Sequence, residues 1–253
     1  MKRLFASLLL AFALIVPAKA AQIISTLSNT TIDITSSFDG ERMTFFGTIA
    51  PNIGSGQRFI DGPFHVVVVV LGPFQDRVVR QKTHNLGVWL NTEEVQLRGM
   101  PGYFHVLSSG RVRDMADLNT LTENFILPEA YAVVPNKAGL QKTLEFGREL
   151  IRLMTQEGLF GMQESGVNFL SETTYSAQLT LPSHAPPGPY IATTFVFKNG
   201  EIVARKSDGF AVRKIGFERF LAQSSTQYPL LYGLACVVLA LFTGWLGGVL
   251  FRR

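Results

Sequence analysis

The feature that most constrains this chain is a long segment without charge at its C-terminal end. The 23 residues from Pro229 to Phe251 include no Asp, Glu, Lys or Arg. At 1.5 Å per residue, a helix of this length crosses the roughly 30 Å hydrocarbon core of a bilayer. Arg252 and Arg253 follow it, and positive charges in that place are typical of a cytoplasmic tail. The sequence therefore predicts a single-pass membrane protein with a cytoplasmic C-terminus.

One side of the predicted membrane helix carries small side chains. They recur every four residues, which places them on one face: Cys236, Ala240, Gly244 and Gly248. We call these four residues the small-residue face. Small side chains let a second helix approach closely enough for van der Waals contact in lipid. The pattern predicts packing against a second copy of the chain or another membrane protein, although small residues are also common in membrane helices that pack against nothing.

The first 20 residues have the pattern of a signal peptide. Lys2 and Arg3 precede an apolar run from Leu4 to Val16, and Ala18-Lys19-Ala20 supplies a small-x-small cleavage site. The apolar run is short for a membrane span, so an uncleaved N-terminal anchor is the less favoured alternative. We expect a mature chain that begins near Ala21, with its main domain in the periplasm and its helix in the inner membrane.

The charge of the chain gives no basis for binding nucleic acid. It has 23 Lys and Arg against 19 Asp and Glu, but five of the positive charges lie in the two ends: Lys2, Arg3, Lys19, Arg252 and Arg253. The exported region keeps 18 positive and 19 negative charges, a net charge of −1, and we expect no nucleic acid partner. The one cysteine lies in the predicted membrane helix, which excludes an intrachain disulfide and a CxxC site.

Patterns of period two predict strands on both sides of a helical region. The run HVVVVVLGP from His65 to Pro73 is typical of a strand buried on both faces. Apolar residues alternate in TYSAQLTLP, and Asn199-Gly200 predicts a hairpin turn. PSHAPPGPY, which ends at Tyr190, resembles the edge of immunoglobulin-like domains of exported bacterial proteins. Three further segments are predicted as strands: the one containing Met43, Phe45 and Ile49, the stretch Arg77 to Asn91, and Tyr103 to Leu107.

Two helices are predicted between these strands. Asp114 is the candidate N-cap of the first, which would place four residues on one side: Met115, Leu118, Phe125 and Ile126. Asn136 is the candidate N-cap of the second and Gly158 its end, with one apolar face: Leu140, Leu144, Leu150, Ile151 and Met154. The order predicts a mainly β fold with a helical hairpin, as an immunoglobulin-like sandwich or sandwiches plus a C-terminal transmembrane helix. Two small β domains joined by helices are the alternative.

The expected segments follow from these elements. They are a signal peptide (1–20), a β-rich first part (21–113), a helical hairpin (114–157), a β-rich immunoglobulin-like second part (158–214), an amphipathic juxtamembrane segment (215–227), the transmembrane helix (228–251) and a cytoplasmic tail (252–253). The juxtamembrane segment places Phe217, Phe220 and Leu221 on one helical face.

No local motif for chemistry occurs in the sequence. The four histidines are not spaced as metal ligands: His65, His84, His105 and His184. A phosphate loop and a nucleophile elbow are also missing. We therefore predict no catalytic residue, no metal ligand and no cofactor. The alternative is a periplasmic metal-handling or enzymatic domain whose site is assembled from distant strands, with histidines or His and Met brought together.

Three segments together resemble the alphaproteobacterial "putative transmembrane protein" family: FDGERMTFFG, LTLPSHAPPGPYIATTFVFKNG and LYGLACVVLALFTGWLGGVLFRR. The resemblance covers the whole chain, and its motifs are structural, so it assigns no catalytic or binding residue. It implies a bacterial inner-membrane protein facing the periplasm and suggests an association with an inner-membrane transporter. The predicted function is that of a membrane-anchored periplasmic accessory or interaction protein.

Overall fold

The computed structural model describes residues 21–34, 40–52, 60–85, 87–133, 139–214 and 217–250. The predicted signal peptide, Asn136 and the pair Arg252 and Arg253 lie outside these ranges. The strands are β1 (Ala21–Leu27), β2 (Thr31–Ile34), β3 (Glu41–Pro51), β4 (His65–Leu71), β5 (Phe74–Asn85), β6 (Val88–Pro101), β7 (Phe104–Ser108), β8 (Phe160–Gln163), β9 (Val167–Phe169), β10 (Thr174–Leu181), β11 (Gly188–Lys198) and β12 (Glu201–Lys214). The helices are α1 (Leu118–Glu123), α2 (Leu140–Gln156), α3 (Phe217–Gln227) and α4 (Pro229–Leu250), with 3-10 turns at Val112–Asp114 and Pro128–Val133.

Two larger sheets form the folded domain. One has the strand order β1-β3-β10-β9, and the other has the order β2-β12-β11-β4-β7-β8. Pairing is antiparallel except where β12 meets β2 and where β7 meets β8. Strands β5 and β6 pair only with each other among the described residues and form a long hairpin. The mainly β fold with a C-terminal helix is therefore confirmed, and the immunoglobulin-like assignment stays a prediction.

The valine run forms a central strand, as its composition predicts. Strand β4 lies between β11 and β7, and its residues from Val66 to Val70 are buried. Residues of a strand point alternately to the two faces of the sheet, so burial of every residue means that both faces are covered. In β10, by contrast, Tyr175, Ala177, Leu179 and Leu181 are buried and alternate with more exposed residues, as predicted. That sheet therefore has one covered face.

The two sheets share one hydrophobic core. Strands from before and after the helical region are neighbours in both sheets, since β3 pairs with β10 and β4 with β11. Phe45 of one sheet and Phe210 of the other meet edge to face, with ring centroids 6.4 Å apart. The alternative of two successive β domains is therefore wrong, because each of the two sheets contains strands from both halves of the chain.

The first predicted helix is shorter than the sequence pattern indicated. Asp114 lies in a 3-10 turn, and Asp117 is the N-cap of α1, where its carboxylate accepts a hydrogen bond from the Thr120 backbone N–H. Leu118 and Phe125 are 58% and 49% exposed, so the predicted apolar side is wrong for these two residues. Met115 and Ile126 are buried, but they flank the helix and do not lie in it.

Helix α2 matches the second predicted helix except at its start and its buried face. Gly139 is its N-cap, and Gly158 follows its end with φ +70°, as predicted for a glycine that terminates a helix. The face turned to the core contains three residues that the predicted face lacked, Thr143, Phe146 and Gly147. Leu150 and Met154 are buried on it as predicted. Leu140 is 58% exposed and lies off this face.

The stretch from Arg77 to Asn91 is not one strand. It turns back on itself at Gly87, where φ is +82°, and so contributes to both β5 and β6. The hairpin predicted at Asn199-Gly200 is confirmed: Lys198 pairs with Glu201 across these two residues, both of which have positive φ.

Candidate functional site

Helix α4 presents apolar side chains in every direction. It runs for 22 residues from Pro229, where a proline is favourable because the first helical N–H has no partner within the helix. None of its described residues is buried, and Leu230, Leu241 and Leu250 are 88%, 70% and 70% exposed. A helix with mean hydropathy 2.1 and no covered side needs an apolar surrounding, and it is long enough to cross a membrane. We call α4 the anchor helix.

The small-residue face is continuous along the anchor helix and open. Among the described residues, nothing lies within 4 Å of where a Cβ would stand at Gly244 or Gly248. Gly233 and Gly247 lie seven residues on either side of Ala240, almost two full turns, and so belong to the same side. The four-residue spacing missed these two glycines, although the seven-residue spacing of the sequence contains them.

The one threonine of the anchor helix has its hydroxyl satisfied within the helix. Thr243 Oγ1 donates to the carbonyl of Leu239 at 2.8 Å and also lies 3.1 Å from the carbonyl of Ala240. Such back-bonding lets a threonine lie in lipid without an unpaired polar group. Cys236 is the only thiol of the chain and is exposed on the small-residue face. The whole face is therefore small, apolar and accessible.

A second helix leads from the folded domain to the anchor helix. Helix α3 ends at Gln227, and hydrogen bonds continue across the junction from Tyr228 N to the Ser224 carbonyl and from Tyr232 N to the Tyr228 carbonyl, at 3.0 and 2.9 Å. The predicted juxtamembrane helix thus exists. Its proposed apolar face is only partly described, because the side chains of Phe217 and Phe220 lie outside the described part.

The four histidines occupy four different environments. His65 begins β4 and is exposed, His84 lies beside Trp89 in the β5–β6 hairpin, and the His184 ring nitrogen Nε2 is 2.6 Å from the Glu157 carbonyl. The fourth, His105, is half-buried on β7. Within the described ranges, no group of three or more His, Cys, Asp or Glu could hold a metal ion. The geometry therefore does not favour a metal site built from these histidines.

The half-buried His105 stacks on Tyr103, which belongs to the core. Their rings lie 5.1 Å apart at an interplanar angle of 11°. Burial lowers the pKa of His105, and burial raises the pKa of Tyr103, with the neighbouring Tyr190 adding to the rise. Both groups are therefore held neutral. Gly161 lies against the imidazole, where a Cβ would overlap the ring. This packing favours a structural role for the pair, since neither ring lines the two clefts described next.

Two open clefts lie on the surface near β4. One of about 340 Å³ is lined by polar and apolar residues that include His65, Asp114 and Asn199. The other, of about 440 Å³, has Phe64, Phe169 and Glu172 in its wall. The first cleft has no Ser, Thr, Cys or Lys in its wall. The second contains Ser171 beside Asp61 and Glu172, but the Ser171 hydroxyl accepts a hydrogen bond from the Thr174 backbone N–H at 3.1 Å, which is a turn contact and gives no catalytic pair.

Comparison with known proteins gives one informative match. A family model described as "Putative transmembrane protein (Alph_Pro_TM)" matches residues 22–253. No curated protein matches the chain. Two solved structures are similar at a low level, the sporulation control protein Spo0M from Bacillus subtilis (9% identity, 82% of this chain, 55% of that chain, TM-score 0.30) and the Pseudomonas fluorescens alkylpurine DNA glycosylase AlkC (10%, 77%, 30%, 0.23). The chain spans about half the length of the first and less of the second, and neither likeness supports a fold or a function.

Proposed function

We propose that this chain, which belongs to the transmembrane protein family matched over residues 22–253, is an accessory protein of the bacterial inner membrane. Its β domain stands in the periplasm, and its anchor helix binds another membrane helix side by side. The partner is a second copy or another membrane protein, for which an inner-membrane transporter is the candidate. The observation that carries the proposal is the open small-residue face on a helix that is otherwise covered with large apolar side chains.

The orientation is supported by the two ends of the sequence. Arg252 and Arg253 follow the anchor helix, and positive charges are retained on the cytoplasmic side of inner membranes. The signal-like residues 1–20 provide the route of export. A reporter fused after Arg253 should behave as cytoplasmic, and one fused after Ser224 should behave as exported. The reverse pattern would refute the orientation, and N-terminal sequencing that begins at Met1 would refute cleavage near Ala21.

The case for association follows from packing in lipid. Large apolar side chains gain little by leaving lipid tails for one another, so helix association depends on close contact between backbones. A simple tether needs only hydrophobic length, which leucine supplies as well as glycine does. Leucine also favours a helix more than glycine does, so Gly244→Leu should leave membrane insertion intact. What it should remove is the close approach of a second helix.

Two substitutions on opposite sides of the anchor helix separate these effects. Gly244→Leu with Gly248→Leu enlarges the small-residue face, and Ala235→Leu enlarges the opposite side, since Ala235 lies about 200° around the helix from Gly233. We expect the first variant to lose its partner and to change its mobility on a native gel. The control should retain the partner and the mobility of the unaltered protein. If both variants behave like the unaltered protein, the anchor helix is only a tether.

A further inference from the structure

The β5–β6 hairpin ends in a cluster of exposed apolar residues. Val88, Trp89 and Leu90 are 57%, 67% and 49% exposed at the point where β6 begins. Asn85 pairs with Val88, and His84 pairs with Trp89, whose ring it meets edge to face at 5.1 Å. We call the described residues 84–85 and 87–90 the hairpin tip. We propose that the hairpin tip inserts Trp89 and its apolar neighbours into the phospholipid interface of the membrane that holds the anchor helix.

The base of the hairpin is fixed to the domain, and the tip is not. Val95 and Leu97 on β6 are each 2% exposed and belong to the core. Glu93 pairs with Lys142 of α2 at 3.0 Å. Beyond the Val79–Val95 pair, β5 continues for six residues to Asn85, or about 20 Å. The tip therefore stands away from the core, and its apolar side chains have no protein cover among the described residues.

The segment that connects the domain to the anchor helix is about as long as the projecting part of the hairpin. Strand β12 ends at Lys214, and α3 brings the chain to Gln227, two residues before the anchor helix begins at Pro229. Eleven helical residues span about 16 Å. The domain is thus tethered to the membrane surface by a distance similar to the projection of the hairpin. A projection of about 20 Å is therefore long enough to reach the interface when the hairpin is turned toward the membrane.

Composition favours lipid as the occupant of this surface. Between Gln81 and Thr92 the sequence contains one Lys, Lys82, and no Arg, Asp or Glu, and the charge of Lys82 suits phosphate headgroups. The nearest acidic residues, Glu93 and Glu94, are already paired with Lys142 and Arg80 at 3.0 and 3.1 Å. Tryptophan is enriched at membrane interfaces because its ring is apolar and its N–H remains in contact with water. The proposed contact between the hairpin tip and lipid does not depend on a partner for the anchor helix.

Fluorescence of Trp89 tests the proposal in the full chain. The protein has two tryptophans, so Trp245→Phe leaves Trp89 as the sole reporter. The protein is reconstituted in phosphatidylcholine and phosphatidylglycerol vesicles that contain lipid with a spin label near the headgroup. We expect the spin-labelled lipid to quench Trp89 and aqueous iodide to quench it weakly. Strong iodide quenching without lipid quenching would overturn the proposal. Protection from both quenchers would also overturn it, since a protein would then cover the tip.

A matched pair of valines controls for damage to the hairpin. Val88→Glu places a charge at the tip, and Val78→Glu places the same charge lower on β5, where Val78 is 51% exposed. We expect Val88→Glu to abolish lipid quenching of Trp89 and Val78→Glu to leave it. Equal loss in both variants would overturn the assignment to the tip. Gly244→Leu with Gly248→Leu should leave the quenching unchanged, so failure of the helix proposal is distinguishable from failure of this one.

Discussion

Gly47 and Tyr175 lie opposite each other on β3 and β10, and the Tyr175 ring fills the space that a side chain at Gly47 would occupy. A Cβ at Gly47 would overlap the ring and its hydroxyl. Tyr175 is 1% exposed, so the ring has no free direction in which to move. A glycine at this register position therefore lets an aromatic ring lie flat across the sheet and close the core.

Gly47→Ala should destabilise the domain. Overpacking of a filled core typically costs about 1–3 kcal/mol, because neighbouring side chains must leave their preferred rotamers. Thermal unfolding of the full chain in detergent, followed by circular dichroism, measures the change. Gly209→Ala on β12 is the control, since its Cβ would meet only the Tyr190 carbonyl oxygen at 3.8 Å. Equal unfolding midpoints for the two variants would contradict this, because they would show that the Tyr175 ring moves aside for a methyl group at position 47 without loss of stability.

Tyr103→Phe should weaken the loss of stability at alkaline pH. The Tyr103 hydroxyl is buried without a hydrogen-bond partner among the described residues, and burial raises its pKa above the ordinary value of about 10. Above pH 10 the unfolded chain releases this proton while the folded chain retains it, so the free energy of unfolding falls as pH rises. Burial also raises the pKa of Tyr175 to about 12, so part of the dependence will remain.

Urea unfolding of the full chain in detergent between pH 8 and pH 11 measures this slope. Tyr103→Phe keeps the ring that stacks on His105 and removes the unpaired hydroxyl, so its stability at neutral pH should match or exceed that of the unaltered protein. An unchanged slope in the variant would show that Tyr103 already titrates near its ordinary pKa.

The hairpin base should be held by apolar burial more than by its ion pair. Leu97→Ala removes a side chain that is 2% exposed and should cost about 2–5 kcal/mol. Glu93→Gln breaks the ion pair with Lys142, whose two side chains are about half exposed, and should cost less than about 1 kcal/mol. Chemical denaturation of both variants compares the two contributions. A larger loss for Glu93→Gln would contradict this order.

The sequence predicted those elements whose signal is local. The valine run of β4, the alternation of β10 and the turn at Asn199-Gly200 each contain their complete pattern within a few residues. The length and composition of the anchor helix are likewise sufficient by themselves. The resemblance to the transmembrane protein family is confirmed by the family model that matches residues 22–253.

Errors arose where two local signals compete or where a distant contact decides. Asp114 and Asp117 both suit an N-cap, and only the hydrogen bond from Thr120 N–H selects Asp117. Gly147 lies on the buried face of α2 because Ala132 approaches closely there, with 2.5 Å to the place of a Cβ. No pattern within the helix reports such a contact, which lies between distant parts of the chain.

The candidate site was predicted in part. Four residues of the small-residue face follow from their spacing, and their arrangement on one side is a property of any regular helix. The hairpin tip was missed because Gly87 is not preceded by an Asn or Asp that would signal a two-residue turn, so β5 and β6 were predicted as one strand. Exposure of Trp89 is a property of the tertiary fold and has no signal in the sequence.

The single thiol offers the most direct test of association through the anchor helix. Cys236 lies on the small-residue face, so a benzophenone maleimide attached there places a photoreactive group at the proposed contact. Cys236→Ala with Ala235→Cys moves the same group about 100° around the helix, to the side turned away from Gly244 and Gly248. After illumination in native membranes, we expect one discrete protein adduct from Cys236 and only lipid adducts from the relocated cysteine. Lipid adducts alone at both positions, or the same protein adducts at both, would contradict the account.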